Sequence, residues 1–474
     1  MAGVTGFLIE HAKKDPVSFH MPGHKGKALY QKYGYEEFLE RFFDCDITEI
    51  IGADNLFQTE GIIAETMAKY RELYDAKASY LLVNGTSGGI IASILTCARD
   101  KLIMARNCHK SVFNALTLGG IQPVYAYPSV VEEYGIAGPV EASEIARLLD
   151  ENPEAGAVIL PSPNYYGICS DIEAISEEVH KRGKVLIIDQ AHGAHLKFFE
   201  GAAGVKGGAN MPESAESSGA DIVINSTHKT LASLTQSAVL NVMTDRVDLR
   251  ILEEKLQAIE STSPSYILMA SLDINADIMK SHGAELIEKW QENLEYFYAK
   301  ADQIEGLKIM KNDALDFTKI NLDMSAYGLD GGQLENELLK YEIYGELVTG
   351  NILMCMTGIG NTQKDFDRLL GALGEIAEKR ALVDNVKKVD ETGAFLWTKK
   401  RTMHDIPVQK KLVKIEDAEG CFCAASIIPY PPGIPLICPG EEIGREEIEY
   451  VKELRARGEK VMGIDDKGQI VVGD

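Results

Sequence analysis

Between residues 60 and 243, short apolar runs alternate with stretches of helical spacing, and that alternation limits what this chain can fold into more than any other feature. The runs at 79–83, 101–105, 157–160, 184–188 and 221–224 read as strands. Helical patterns are expected over 62–74, from Ile90, beyond Lys110, and from Asp171 as N-cap to Arg182, where Gly183 stops the helix. Strands that alternate with helices build a mostly parallel sheet covered on both faces, so the predicted class is α/β. The run at 238–243 follows its predecessor too closely for a crossover helix and is expected to be antiparallel. In such sheets ligands bind beyond the carboxyl ends of the strands. Thr86, His109, Asn164, Asp189 and Ser226 all fall just after predicted strands.

The chain of 474 residues is long enough for two or three domains. We divide it into an N-terminal arm (1–58), a large domain (59–305), a smaller α/β domain (306–382) and a C-terminal domain (383–474). The arm is rich in Gly, Pro and His around residues 19–26, and a long helical stretch spans 249–303. No apolar run approaches the ~20 residues of a membrane span, and the N-terminus has no signal-peptide pattern. A net charge of −24 without a basic tract argues against nucleic acid as a partner and is compatible with a cationic substrate. Eight scattered cysteines show neither zinc spacing nor a disulfide framework, which points to free thiols in the cytoplasm.

Three segments stand out chemically. Lys229 follows a buried strand inside Ser226-Thr227-His228-Lys229; burial favours the neutral amine that attacks an aldehyde, and the hydroxyls and imidazole suit a phosphate. Asp189, in Asp189-Gln190-Ala191-His192, ends an apolar strand, where a carboxylate can pair with a protonated pyridine nitrogen. Asp189, His192 and His195 also have the composition of metal ligands, but no further paired carboxylate lies near, and no metal is expected. Gly85-Thr86-Ser87-Gly88 opens a helix, as an anion site does, and matches neither the Walker A nor the dinucleotide pattern. His109 is placed to stack on a flat ring.

The chain resembles the bacterial ornithine/lysine/arginine decarboxylase family, which is pyridoxal-phosphate-dependent and has the aspartate-aminotransferase fold. Phe19-His20-Met21-Pro22-Gly23-His24-Lys25-Gly26, Asp46-Ile47-Thr48-Glu49, Val83-Asn84-Gly85-Thr86-Ser87-Gly88, Asp189 through His195, Ser226 through Gln236, Thr262-Ser263-Pro264 and Pro429-Tyr430-Pro431-Pro432-Gly433 carry the likeness. It implies a Schiff-base role for Lys229 and places Asp189 at the pyridine nitrogen. Thr86, Ser87, Ser226 and His228 would hold the phosphate, His109 would stack on the ring, and His192 would lie beside it. Ser261 or Thr262 would reach the phosphate of a neighbouring subunit, so a homodimer with shared sites is the smallest working unit. The chain is similar to the shorter, biosynthetic-type branch, without the extra N-terminal domain of the large inducible members. The Gly/Ala/Ser-rich stretch 201–219 matches no family pattern and reads as a loop near the mouth of the site.

The implied reaction is decarboxylation of a basic amino acid in polyamine metabolism. Arginine is the first expectation, by resemblance to the short branch, with lysine and ornithine as alternatives. Lys229 or His228 would protonate the alpha carbon. The cationic tail needs a carboxylate, for which Asp54, Glu49 and Glu441 are candidates. Transamination or β-elimination is the competing chemistry, and a non-catalytic relative the competing class. An aminotransferase needs an arginine for the substrate carboxylate, and 301–382 offers only Arg368 and Arg380 in helical context.

Overall fold

The computed structural model describes residues 3–200, 210–383, 396, 399–401, 403–430, 434–456 and 458–473. At its centre are seven strands: β1 (Ala78–Leu82), β2 (Lys101–Ala105), β3 (Gln122–Ala126), β4 (Ala157–Pro161), β5 (Val185–Asp189), β6 (Ile222–Asn225) and β7 (Ala238–Val242). Their order across the sheet is β1-β7-β6-β5-β4-β2-β3. β7 runs antiparallel to both neighbours and every other pair is parallel, as expected from the spacing. Helices cover both faces, so residues on either side of β4, β5 and β6 are buried alike. Ile103, Val158, Ile187 and Val223 sit at the heart of this core.

The helix Ile172–Lys181 starts where Asp171 accepts from the Ala174 N–H at 3.0 Å, and Gly183 leaves it at φ +67°. Two expectations need correction. The helix expected from Ile90 begins at Gly85. Gly85, at φ +71°, turns the chain straight out of the strand, so the Gly-Thr-Ser-Gly segment is itself the first helical turn. The long helical stretch is two helices, Leu249–Ile259 and Tyr266–Ala301, separated by a link that contains Pro264. Ser265 caps the second by accepting from Leu268 N–H at 3.3 Å.

A second sheet, β8 (Lys308–Ile309), β9 (Lys319–Asp323), β10 (Leu347–Thr349) and β11 (Ile352–Met356), has the order β8-β9-β11-β10 and is antiparallel throughout. The arm contains a helix, Val4–Lys13, that composition did not announce. Its Val17–Ser18 then pairs in parallel with Ile343–Tyr344 as a separate two-stranded sheet, and Phe19 O accepts from the Met356 N–H of β11 at 2.6 Å, so the arm is stitched to the smaller sheet. The C-terminal part has its own core, with Ile415, Ile437, Ile443, Val451 and Val472 buried. Among the described residues, no helix is long and apolar enough to cross a membrane.

Candidate active site

Asp189 is the last residue of β5, and its Oδ1 accepts from the Ala191 N–H at 3.1 Å. Burial raises this carboxyl above its ordinary range, while the charge of Lys229 pulls it back down. The turn after it is fixed by Gln190, which donates to Glu216 (2.8 Å) and Asn225 (3.0 Å) and accepts from the Ala215 N–H (2.8 Å). His192 is thereby aimed at Lys229, with Nε2 2.9 Å from Nζ.

Lys229 lies on a single helical turn, Thr227–Thr230, that follows β6. Desolvation lowers its pKa, opposed by Asp189 and Glu346. Burial and the charge of Lys229 hold His192 well below the usual imidazole value, so this neighbour is neutral. The turn is braced by Thr227 with Ser233 (2.7 Å) and by Thr230 with His195 (3.2 Å). The arm braces it too: Gly23 donates its N–H to His228 O at 2.7 Å. A Cβ on Gly23 would lie 2.4 Å from the Thr230 carbonyl carbon, so only glycine fits.

Thr86 and Ser87 occupy the first turn of the helix Gly85–Cys97, where backbone N–H groups have no intrahelical partner and favour an anion. Ser226 Oγ donates to Thr86 Oγ1 at 3.3 Å, joining this turn to the one that carries Lys229. His109 caps the helix Lys110–Gly119, its Nδ1 accepting from the Ser111 N–H at 3.3 Å. Burial, then the charges of Lys229 and Lys110, lower it to about 3. Thr86, His109, Asp189, His192 and Lys229 line one pocket, walled further by Pro161, Pro163 and Tyr165. A lysine amine, a carboxylate, two imidazoles and the first turn of a helix therefore converge on one cavity. His192 Nδ1 is buried there without a hydrogen-bond partner among the described residues. This donor set suits a flat, phosphorylated, pyridine-based aldehyde.

Residues 3–322 match the family described as Orn/Lys/Arg decarboxylase, major domain, and residues 398–470 match its C-terminal domain. The chain belongs to the Orn/Lys/Arg decarboxylase family. The arginine decarboxylase of Bacillus subtilis is 30% identical, covering 97% of this chain and 94% of its own. The lysine decarboxylase LdcA of Pseudomonas aeruginosa is 25% identical, over 97% of this chain and 76% of its own. In structure, the Francisella novicida lysine decarboxylase LdcF superposes with TM-score 0.76 at 20% identity, covering 95% of this chain and 78% of that one. The protein is thus a decarboxylase of this family, and pyridoxal phosphate is its cofactor.

Not every residue singled out in the decarboxylase sequence reaches the pocket. Ser226, Ser87 and His228 are not among the residues that line it, and His228 Nδ1–H is committed to Ser237 O at 2.7 Å. Ser261 and Thr262 lie exposed on the link between helices, outside this chain's own pocket. Among the described residues Ser261 Oγ engages its neighbour Ser263, accepting from N–H at 3.2 Å and donating to O at 3.3 Å. Among the described residues no cluster could hold a metal ion. Residues 201–209 of the expected mouth loop, and 431–433 of the Pro-rich segment, lie outside the described residues.

Two of the three carboxylates considered for the substrate tail are occupied. Glu441 is wholly buried and forks onto Arg106, at 2.7 and 2.8 Å. Partial burial pushes the Asp54 carboxyl up. The backbone N–H groups of Glu60, Asn55, Gly61 and Ile63 outweigh it and hold the carboxyl at about 2, as a cap on the helix Ile62–Tyr74. Glu49 is half-buried and lines no part of the pocket. Sequence reasoning missed Glu346, in the loop before β10. It accepts from the Met21 N–H at 3.0 Å; burial raises its pKa, and Lys229, Lys25 and Lys319 lower it. Nothing local marks this glutamate, because the arm and the smaller sheet bring it toward Lys229.

Proposed function

We propose that this decarboxylase acts on arginine, releasing carbon dioxide and agmatine, with lysine and ornithine as poorer substrates. The observation that carries the choice is the near full-length likeness to arginine decarboxylases, which exceeds the likeness to the lysine enzymes. When bound, the cofactor supplies an electron sink for the pair left behind as the carboxylate departs.

The residues divide the remaining work. Lys229 presents an uncharged amine to the cofactor aldehyde, because burial and a neutral His192 disfavour its proton. Asp189 keeps the pyridine nitrogen protonated. Thr86, Ser87 and the helix terminus behind them hold the phosphate, and Ser226 ties that turn to Lys229. His109 packs on the ring. Lys229 Nζ would take up the proton that the substrate ammonium gives up and deliver it to the alpha carbon in place of the departing carboxylate; His228 is the weaker candidate because its Nδ1–H is spent on Ser237 O. Glu346 is the carboxylate we assign to the guanidinium: like Glu49 it is outside the residues that line the pocket, but its bond to the Met21 N–H of the arm holds it where it feels the charge of Lys229. Ser261 and Thr262 are free to reach a second copy of the chain, which makes a dimer the working unit.

Transamination is disfavoured because neither arginine of the smaller domain is at hand. Arg368 donates to Asp15 O (2.8 Å) and Tyr341 O (3.2 Å), and Arg380 pairs with Glu337 (2.9 Å). The test is incubation with the cofactor and arginine, lysine or ornithine separately, with carbon dioxide and the amine measured. Agmatine from arginine, lost in Lys229→Ala, is expected. Release from lysine or ornithine alone would overturn the substrate assignment, and release from none would overturn decarboxylation of a basic amino acid.

A further inference from the structure

The C-terminal part of the chain supplies no described residue to the pocket wall, yet it is bonded into the turn that carries His109. Arg106 leaves the end of β2 and is fully buried. Its Nε and Nη2 take the two oxygens of Glu441, while Nη1 donates to Pro435 O (2.7 Å) and Nη2 to Leu436 O (2.9 Å). Both members of the pair have no solvent exposure. Glu441 also accepts from Cys438 N–H (2.8 Å) and Arg401 (3.0 Å), so its oxygens are satisfied from both sides. Tyr125 lies 5.4 Å from the guanidinium, closing it in. Only Asn107 and Cys108 separate Arg106 from His109. Cys108 N–H donates to Ala105 O, so this stretch is a tight turn rather than slack chain.

We propose that Arg106 and Glu441 are positioning residues through which the C-terminal part holds His109 against the cofactor. This rests on the reading that His109 packs on the ring. A buried pair of this kind adds little net stability over apolar residues of the same volume. What it adds is a fixed fork geometry that sets where the backbone of 106–109 lies. Displacement of a positioning group by about 1 Å can cost on the order of a hundredfold in rate. The other acidic partner in the network, Glu447, bonds to Arg401 and not to Arg106, and so provides an internal control.

The experiment compares Glu441→Gln, Glu447→Gln and the double variant Arg106→Met/Glu441→Met. For each, cofactor affinity is measured by absorbance titration, kcat and KM by carbon dioxide release, and the melting temperature by circular dichroism. Glu441→Gln and the Met pair are expected to weaken cofactor binding about tenfold and to lower kcat by about tenfold to a hundredfold, with KM little changed. Glu447→Gln should lower the melting temperature while leaving affinity and kcat within about twofold. The Met pair leaves no buried charge unpaired, which keeps the test open if Glu441→Gln fails to fold. A folded Met pair that binds cofactor and turns over like the native enzyme would overturn the proposal. So would a Glu447→Gln variant that loses affinity and kcat as severely as Glu441→Gln. Native enzyme that neither binds the cofactor nor turns over would instead remove the reading of the site itself.

Discussion

Lys229 and Lys319 are both withdrawn from water near one loop, and their surroundings differ in one respect. Lys319, at the start of β9, is wholly buried and pairs with the Asp316 carboxylate at 2.7 Å, adding His192 O at 2.8 Å and Thr318 Oγ1 at 3.2 Å. Among the described residues, Lys229 meets no carboxylate at hydrogen-bond distance; its partner is the neutral His192 ring. The first environment sets a carboxylate against the amine, and the second penalises a charge on Lys229. One residue, His192, thus holds the Lys319 amine through its backbone and the amine of Lys229, our proposed nucleophile, through its side chain. Asp316 also meets His195 at 3.1 Å, so the Lys319 amine belongs to a network that reaches Thr230, next to the reactive lysine.

The contrast can be broken at either lysine. Lys229→Ala should abolish decarboxylation, a loss of at least about a thousandfold, measured as carbon dioxide release. Asp316→Asn should destabilise the fold by about 3–5 kcal/mol, since it leaves a buried ammonium uncompensated. Urea denaturation would read this, and a loss below about 1 kcal/mol would mean that Lys319 is not a cation paired with Asp316. Thr86→Val should weaken the cofactor about tenfold, near 1.4 kcal/mol, in an absorbance titration, with little change in melting temperature.

The subtlest expectation concerns pH. The folded pKa of Lys229 is depressed, so the folded state binds fewer protons there than the unfolded state, and stability rises with pH up to the ordinary lysine value of about 10.4. Lys229→Met should therefore be more stable than the native apoprotein at neutral pH, by a margin that shrinks as pH rises toward that value. Asp316 behaves oppositely. Lys319 and His195 outweigh its burial and hold its carboxyl well below the usual range. Its contribution is present above the unfolded carboxylate value of about 3.9 and fades as pH falls below it. A pH series of melting temperatures on Lys229→Met and Asp316→Asn would separate the two.

What the sequence disclosed follows from the same geometry. Thr86, His109, Asp189 and Lys229 were legible because each stands just beyond an apolar strand, and parallel strands bring their carboxyl ends to one edge. Glu346 and Lys319 were not, because their place beside the pocket depends on the smaller sheet folding back over the larger one. Glu441 was misread as an available charge. In sequence a glutamate looks free, and only the fold shows Arg106, 335 positions away, consuming both of its oxygens. The first turn of the helix Gly85–Cys97 was misplaced for a local reason: glycines usually break helices, but here one of them starts a helix.

The arm's contacts also bear on how the chain is made. Gly23 accepts from the Gly360 N–H at 2.9 Å and donates to His228 O, while Val17 awaits Ile343. At a synthesis rate of about 5–20 residues per second, the arm leaves the ribosome tens of seconds before residue 360 exists. By then the arm can already meet His228 and Ala232, but its pairing with Ile343–Tyr344 and its bond to Gly360 must wait. A truncated nascent product ending before residue 343 would therefore carry Lys229 without the second half of the arm's clamp.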